Sequence, residues 1–265
     1  MNFLKDSHSL FLGVILIFLL IALIRHSFKE GFQSPLEQRY TAVLIESRRH
    51  KAMRFVLRNL LDNLDSRWTI LILHGTSNGE WLRSLLETHF SADISRIRME
   101  FLGVPVNTID EYSALMMTKA FYNKIPTEMF LIAQTDSMIC SPQKGWVDEF
   151  LQYDYVGAPW TKQLSDIEVG NGGFSLRRKS KMLKILELCP ASPAVPEDLF
   201  FSRGCQAARP HKPSLEEAKR FSQESIRSER SFGIHQIWNY FKSDMNEIEK
   251  QCPGLQVLWS LQGVE

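Results

Sequence analysis

The chain has 265 residues, 44% of them hydrophobic and 23% charged, and a formal net charge of +1. Domains cluster at roughly 100–200 residues, so this length suits one medium domain with an appendage or two tightly joined halves, with material enough for a sizeable core. The near-zero charge, with no basic stripe interleaved with aromatics, argues against nucleic acid as a partner.

The N-terminus departs from the rest. No formally charged residue lies between Ser7 and Ile24, and Leu10–Ile24 (LFLGVILIFLLIALI) is apolar throughout, flanked by Lys5-Asp6 before and by Arg25 and Lys29 after. A helix crosses a bilayer with about 17–25 such residues, which predicts a single transmembrane helix over about residues 8–24. LIALIRHS offers no convincing small-x-small cleavage site, so the run reads as a retained anchor rather than a cleaved signal peptide. The following flank carries about one positive charge more than the preceding one; by the positive-inside rule this would leave the domain cytosolic, but so small a bias decides little. The polar stretch Arg25–Arg39, with its Gly and Pro, reads as a stem. Residues 1–39 are thus anchor and stem, and 40–265 the domain.

An alternation then begins. Ala42–Glu46 (AVLIE) is a short apolar strand, and Met53–Leu64 places Val56, Leu57, Leu60, Leu61 and Leu64 at helical spacing. Trp68–His74 is a second strand, followed by a helix through Trp81, Leu82, Leu85 and Leu86; Met99–Val104 is a third strand, Ile109–Tyr122 a third helix and Met129–Ala133 a fourth strand. Near-continuous apolar strands between amphipathic helices imply a mostly parallel, Rossmann-like sheet with helices on both faces. After Gln134 the rhythm changes to short, glycine-punctuated segments at Tyr153–Pro159, Gly170–Arg177 and Ser231–Ile234, with helices at Arg178–Leu188 and after the capping box Ser214–Glu217. The second half is an irregular α+β extension. None of the four cysteines (140, 189, 205 and 252) forms a CxxC pair, so a zinc site is not expected; their even number allows disulfides, Cys189 with Cys205 among them, or four buried thiols.

Ligands of an open parallel sheet bind beyond the carboxyl ends of its strands, which here carry Glu46-Ser47-Arg48, His74-Gly75-Thr76 and Gln134-Thr135-Asp136. Asp136 is a turn former or a ligand. Gly170–Phe174 (GNGGF) is a plain tight turn or a backbone that must approach a ligand closely. Glu197-Asp198 compensates a helix dipole or supplies chemistry, and His235 is structural or a ligand. Trp160 is a half-buried loop tryptophan or a face for sugar C–H groups.

Together these pieces resemble a family. AVLIESR (42–48), QTDSMIC (134–140), FLQYDYVGAPW (150–160), VGNGGFSLRR (169–178), PEDLFFS (196–202) and FGIHQIWNY (232–240), in that order, resemble uncharacterised glycosyltransferase-like domains whose fold is similar to GT-A enzymes. The resemblance covers about Tyr40–Tyr240 and implies an α/β, GT-A-like fold. It also implies a membrane-anchored, hexosyltransferase-like enzyme that moves a sugar from a nucleotide-sugar donor to a glycan or protein acceptor with inversion. Such enzymes hold the donor diphosphate through a divalent metal, usually Mn²⁺, on a D-x-D motif. The matching positions here, Gln134-Thr135-Asp136 or Asp136-Ser137-Met138, keep one aspartate, so the implied metal ligands are Asp136 and His235. The resemblance assigns Asp198 as general base, with Glu197 close behind, and Glu46, Ser47, Thr135 and Asp136 to the nucleotide. It assigns Trp160, Asn171, Gly172 and Gly173 to the substrate, and Arg177 or Arg178 to the charge on the leaving group. Its localisation would be that of a single-pass type II protein of the secretory pathway, in the Golgi or endoplasmic reticulum. The alternative is a membrane-anchored module that binds carbohydrate or nucleotide without catalysis. Another nucleotide-dependent transferase would want a glycine-rich loop after the first strand, and ESRRHKA has none.

Overall fold

The computed structural model describes residues 39–264 apart from Pro193. The expected anchor lies outside the described residues, among which no helix is long and apolar enough to cross a membrane.

The first half alternates as its periodicity predicts: β1 (Tyr40–Glu46), α1 (Met53–Asn63), β2 (Trp68–His74), α2 (Gly79–His89), β3 (Ile97–Phe101), α3 (Ile109–Met116), α4 (Lys119–Lys124) and β4 (Met129–Ala133). The second half supplies β5 (Ser137–Ile139), β6 (Tyr155–Gly157), β7 (Phe174–Arg178), α5 (Lys179–Leu188), α6 (Glu197–Arg203), α7 (Leu215–Phe221), β8 (Ser222–Gln223) and β9 (Gly233–His235), and two short helices, Met245–Gln251 and Leu255–Ser260, follow. The main sheet has the order β3-β2-β1-β4-β7-β6. β1 to β4 run parallel, and β7 and β6 are added antiparallel to their neighbours.

Alternate side chains of each central strand enter different cores. Ala42, Leu44, Ile70, Ile72, Leu131 and Ala133 join one, packed with Val56, Leu57, Leu60 and Leu61 of α1. Val43, Ile45, Leu71, Leu73, Phe130 and Ile132 join the other, with Leu115, Met182 and Ile185. Burying a side chain of this size stabilises by about 1.5–3 kcal/mol, so the two-sided strands anchor the domain.

The structure departs from expectation at several points. The predicted helix 109–122 is two helices, because Thr118 takes extended backbone and its hydroxyl accepts from Phe121 N (3.2 Å) while donating to Leu115 O (2.8 Å). Such a local side-chain partner ends one helix and starts the next. The third strand begins two residues earlier than predicted and ends at Phe101. The apolar residues after Asp136 leave the parallel sheet as β5, the edge of a second sheet of order β5-β9-β8.

The four cysteines pair as Cys140–Cys252 and Cys189–Cys205. The first ties the residue after β5 to the C-terminal helices. The second closes a loop of 16 residues' separation that carries Glu197 and Asp198, and closing a loop of that size stabilises by about 3 kcal/mol in the chain-entropy account.

Asn59 does for β5 what a neighbouring strand would do. From the buried face of α1 its Nδ2 donates to Ile139 O (2.9 Å) and its Oδ1 accepts from Ile139 N (2.8 Å). Asn59→Ala leaves that N–H and C=O buried and unpaired, and each such loss costs about 1–3 kcal/mol. Urea denaturation should show stability lowered by about 2–4 kcal/mol, with the midpoint shifted and the slope unchanged.

Candidate functional site

A cavity of about 390 Å³ opens at the carboxyl ends of β1 and β4, within the size range of small-molecule sites. Its wall includes Glu46, Thr135, Asp136, Asn171, Gly172, Gly173, Glu197, Asp198 and His235. These are nine of the eleven positions expected from sequence; the other two, Ser47 and Trp160, are not in the wall. Ser47 is buried and its hydroxyl bonds Val106 O, which fixes the loop above β3. Trp160 lies beyond Gly170, where a Cβ would sit 3.2 Å from its ring.

Asp136 and His235 meet because of strand register. β5 pairs antiparallel with β9 so that Ser137 faces His235, and Gln236 N donates to Asp136 O (3.1 Å) one step further along. Asp136 Oδ2 accepts from Gln236 Nε2 (2.5 Å). Its Oδ1 is sealed from solvent, takes no well-aligned hydrogen bond, and lies 3.3 Å from His235 Nε2. The same ring nitrogen is 3.2 Å from Gln134 Oε1, and Nδ1 is 3.1 Å from Glu224 Oε1. Burial alone would lower the His235 pKa, but the charge and hydrogen bond of Asp136, and then those of Glu224, outweigh it and raise it to about 10. Burial alone would likewise raise the Asp136 carboxyl; His235 and the Gln236 amide more than offset this and hold it below its usual range.

These residues fit a divalent cation in part. Two donors on one ion at metal–ligand distances of about 2.1 Å and a right angle stand about 3 Å apart, close to the separation of Asp136 Oδ1 and His235 Nε2. A carboxylate oxygen and an imidazole nitrogen are acceptable to Mn²⁺. Among the described residues, no group of three or more His, Cys, Asp or Glu side chains is arranged to hold a metal, so the remaining positions would fall to ligand phosphate and water.

At the other end of the cavity the acid pair divides. Glu197 is buried and bound bidentately by Arg177, Nη1 to Oε2 at 2.6 Å and Nη2 to Oε1 at 3.0 Å. Arg177 in turn is fully buried, with its guanidinium 4.8 Å from the Tyr155 ring centre. Asp198 has no such cation. Burial, and then the neighbouring charge of Glu197, raise its pKa to about 6. The expectation that Arg177 or Arg178 faces a leaving group is corrected here. Arg177 is spent on Glu197, and Arg178 leaves the site to pair with Asp154 (3.1 Å). The arginine in the cavity wall is Arg48, held by Glu46 at 2.8 Å.

The glycines join the two ends. β7 pairs antiparallel with β4, and Gln134 N donates to Gly173 O (3.1 Å), so the loop before β7 runs between the strand end and α6. A Cβ on Gly172 would lie 2.5 Å from Glu197 Oε1, and one on Gly173 would lie 2.1 Å from His235 Nε2. Asn171 caps the turn by accepting from Gly173 N (3.0 Å). The glycines are needed because this backbone packs directly against the acid pair and the histidine.

Sequence reasoning missed Tyr112 and Ser113 of α3, the Val106–Thr108 loop, Glu224 and Gln236, all in the wall. Glu224 stands in the polar run QESIRSER, which carries no periodic signal. Gln236 adopts a left-handed φ of 42°, a strained conformation for a non-glycine residue that sequence does not announce.

A family model described as protein of unknown function (DUF5672) matches residues 96–235, more than half of the chain. No curated protein matches the sequence. Among solved structures, the chain is similar to the galactosyltransferase LgtC in complex with donor and acceptor sugar analogs, at 8% identity and a TM-score of 0.51 over 83% of this chain and 94% of that one. It is similar to the apo-form glycosyltransferase GlyE of Streptococcus pneumoniae, at 10% identity and a TM-score of 0.51 over 86% of this chain and 65% of that one. The mannosyltransferase PcManGT of Pyrobaculum calidifontis, in complex with GDP-Man and Mn²⁺, gives 10% identity and a TM-score of 0.45 over 73% and 62%. The chain spans slightly less than two thirds of the length of GlyE and of PcManGT. The fold is thus that of GT-A-like glycosyltransferases.

The Arg177–Glu197 pair sets the shape of this end of the cavity. Arg177→Met leaves a buried carboxylate unpaired and should lower stability by about 3–5 kcal/mol, whereas Arg177→Met with Glu197→Met should recover most of the loss. Chemical denaturation of the two variants measures the difference.

Proposed function

We propose that this chain, which belongs to the DUF5672 family, is a glycosyltransferase that moves a sugar from a nucleotide-sugar donor to the hydroxyl of a glycan or protein acceptor, with inversion. The observation that carries the reading is one cavity with two acidic ends: Asp136 and His235 at the strand rim, Glu197 and Asp198 across the glycine loop. An inverting transfer needs both, one end to hold a diphosphate and the other to take a proton.

At the strand rim, Asp136 and His235 are the residues that would hold a divalent cation such as Mn²⁺, which when bound supplies positive charge for the diphosphate. Glu46 and Thr135 lie on the same rim, joined by a 3.3 Å hydrogen bond, where the nucleoside would rest. At the other end the neutralised Glu197 cannot serve as base while Arg177 grips both of its oxygens. Asp198 takes that role. Its carboxylate accepts the proton of the acceptor hydroxyl as that oxygen attacks the anomeric carbon, and the bond from that carbon to the diphosphate oxygen breaks, its electron pair leaving with the nucleoside diphosphate. Asn171, Gly172 and Gly173 line the space between the two ends, where the transferred sugar would lie. Two disulfides suit an oxidising compartment, which supports a lumenal domain on a type II anchor in the secretory pathway.

The full chain, incubated with a panel of nucleotide-sugars and Mn²⁺, is expected to hydrolyse at least one donor or transfer its sugar; no turnover together with no nucleotide binding would overturn the reading. Asp198→Asn should lower kcat by about 10²–10⁴-fold, the usual worth of a general base, with nucleotide binding retained. Because the base works deprotonated and its pKa is raised to about 6, kcat/KM of the wild type should fall about tenfold per pH unit below that value. Asp136→Asn should instead abolish Mn²⁺-dependent nucleotide binding; binding left unchanged would favour a non-catalytic binding module.

A further inference from the structure

Glu224 has no part in the motifs described so far, yet it is the second carboxylate on the His235 ring, after Asp136. It is buried and follows directly on β8, whose parallel register on β9 sets Gln223 beside Ile234, so Glu224 comes beside His235. Its Oε1 lies 3.1 Å from His235 Nδ1, while Oε2 is buried without a hydrogen-bond partner. The far side of the same ring is boxed in. Nε2 lies 3.3 Å from Asp136 Oδ1 and 3.2 Å from Gln134 Oε1, and Gly173 leaves no room for even a methyl group beside it.

We propose that Glu224 is a positioning residue for cation binding: by accepting Nδ1–H it fixes the plane of the His235 ring and leaves Nε2 as the nitrogen that gives up its proton to a divalent cation, with Asp136 Oδ1 beside it. The proposal rests on the reading of Asp136 and His235 as cation ligands. An imidazole binds a metal through one nitrogen only, and a carboxylate on the other nitrogen both orients the ring and makes it a stronger donor. The charge count agrees. Asp136 and Glu224 together place two negative charges about one divalent cation. Glu224 delivers its charge through the ring instead of touching the ion.

Mn²⁺ binding to the full chain, followed by the electron paramagnetic resonance signal of the free ion with and without a nucleoside diphosphate, tests this without any turnover. Glu224→Ala is expected to weaken Mn²⁺ binding by about 10–100-fold, the range for loss of such a supporting carboxylate. Glu224→Gln, whose amide oxygen still accepts from Nδ1–H, should recover part of that loss, and its thermal midpoint reports whether the fold is intact. A structural role alone would not grade the affinity in that order. Should Glu224→Ala fail to fold, the comparison stands on Glu224→Gln, expected to bind about three- to tenfold more weakly than wild type. Wild-type affinity in a folded Glu224 variant, with binding lost in Asp136→Asn, would overturn the proposal and leave the cation reading standing. A wild type that binds no Mn²⁺ under either condition would overturn both.

Discussion

The antiparallel register between β5 and β9 is the constraint on which the site depends. It sets Ser137 opposite His235, and so brings Asp136, at the end of the fourth parallel strand, against a histidine from near the end of the domain. A slip of one residue would turn the ring to the opposite face, because side chains alternate along a strand. Three strands of two or three residues hold little by themselves. Their register is enforced from outside: by Asn59 on Ile139, by the Cys140–Cys252 bridge next to it, and by the packing of Ile139, Phe232 and Ile234 in the first core. The stability of the large sheet is in this way lent to a small one that sets Asp136 against His235.

Burial then decides what each acid can do. Glu197 and Asp198 are adjacent in sequence and share a cavity wall, and the difference between them is a single cation. Arg177 is wholly desolvated and gives both of its Nη groups to Glu197. The carboxylate so gripped is fixed in place and electrically balanced. Asp198 receives the consequences of the same burial without the cation, and its proton affinity rises toward neutrality. Adjacent carboxyls with unequal environments are how a protein separates a structural acid from a reactive one.

Much of this was legible in the sequence wherever a periodic pattern served burial. The four parallel strands and the helices between them announced themselves through residues such as Val43, Leu71 and Ile132, whose neighbours on both sides are also apolar. The rim rule then led to Asp136 without any motif. The second half was harder because its strands have two to five residues and are placed by partners distant in sequence, so no local pattern marks them. Thr118 shows the limit inside the regular half: the apolar spacing continued across it, and one hydroxyl broke the helix. The fate of Arg177 was hidden for the same reason as that of Glu224. A charged residue in a strand, or in a polar run, reads as solvent-facing until the tertiary partner that neutralises it is known.

The glycines of GNGG deserve a different interpretation from the one their sequence suggests. Glycine at a site invites the thought that a ligand must come close, and Gly172 and Gly173 do line the cavity. Their tightest neighbours, however, are the protein's own groups, Glu197 Oε1 on one side and His235 Nε2 on the other. Two charged clusters, each built on a different element, can share one small cavity only if the chain passing between them has no side chains. Any Cβ there would push the acid pair and the histidine apart, and the proposed transfer depends on that distance. The loop is therefore a spacer whose length is set by the absence of atoms, and the site's geometry is written as much in those two missing methyl groups as in the carboxylates.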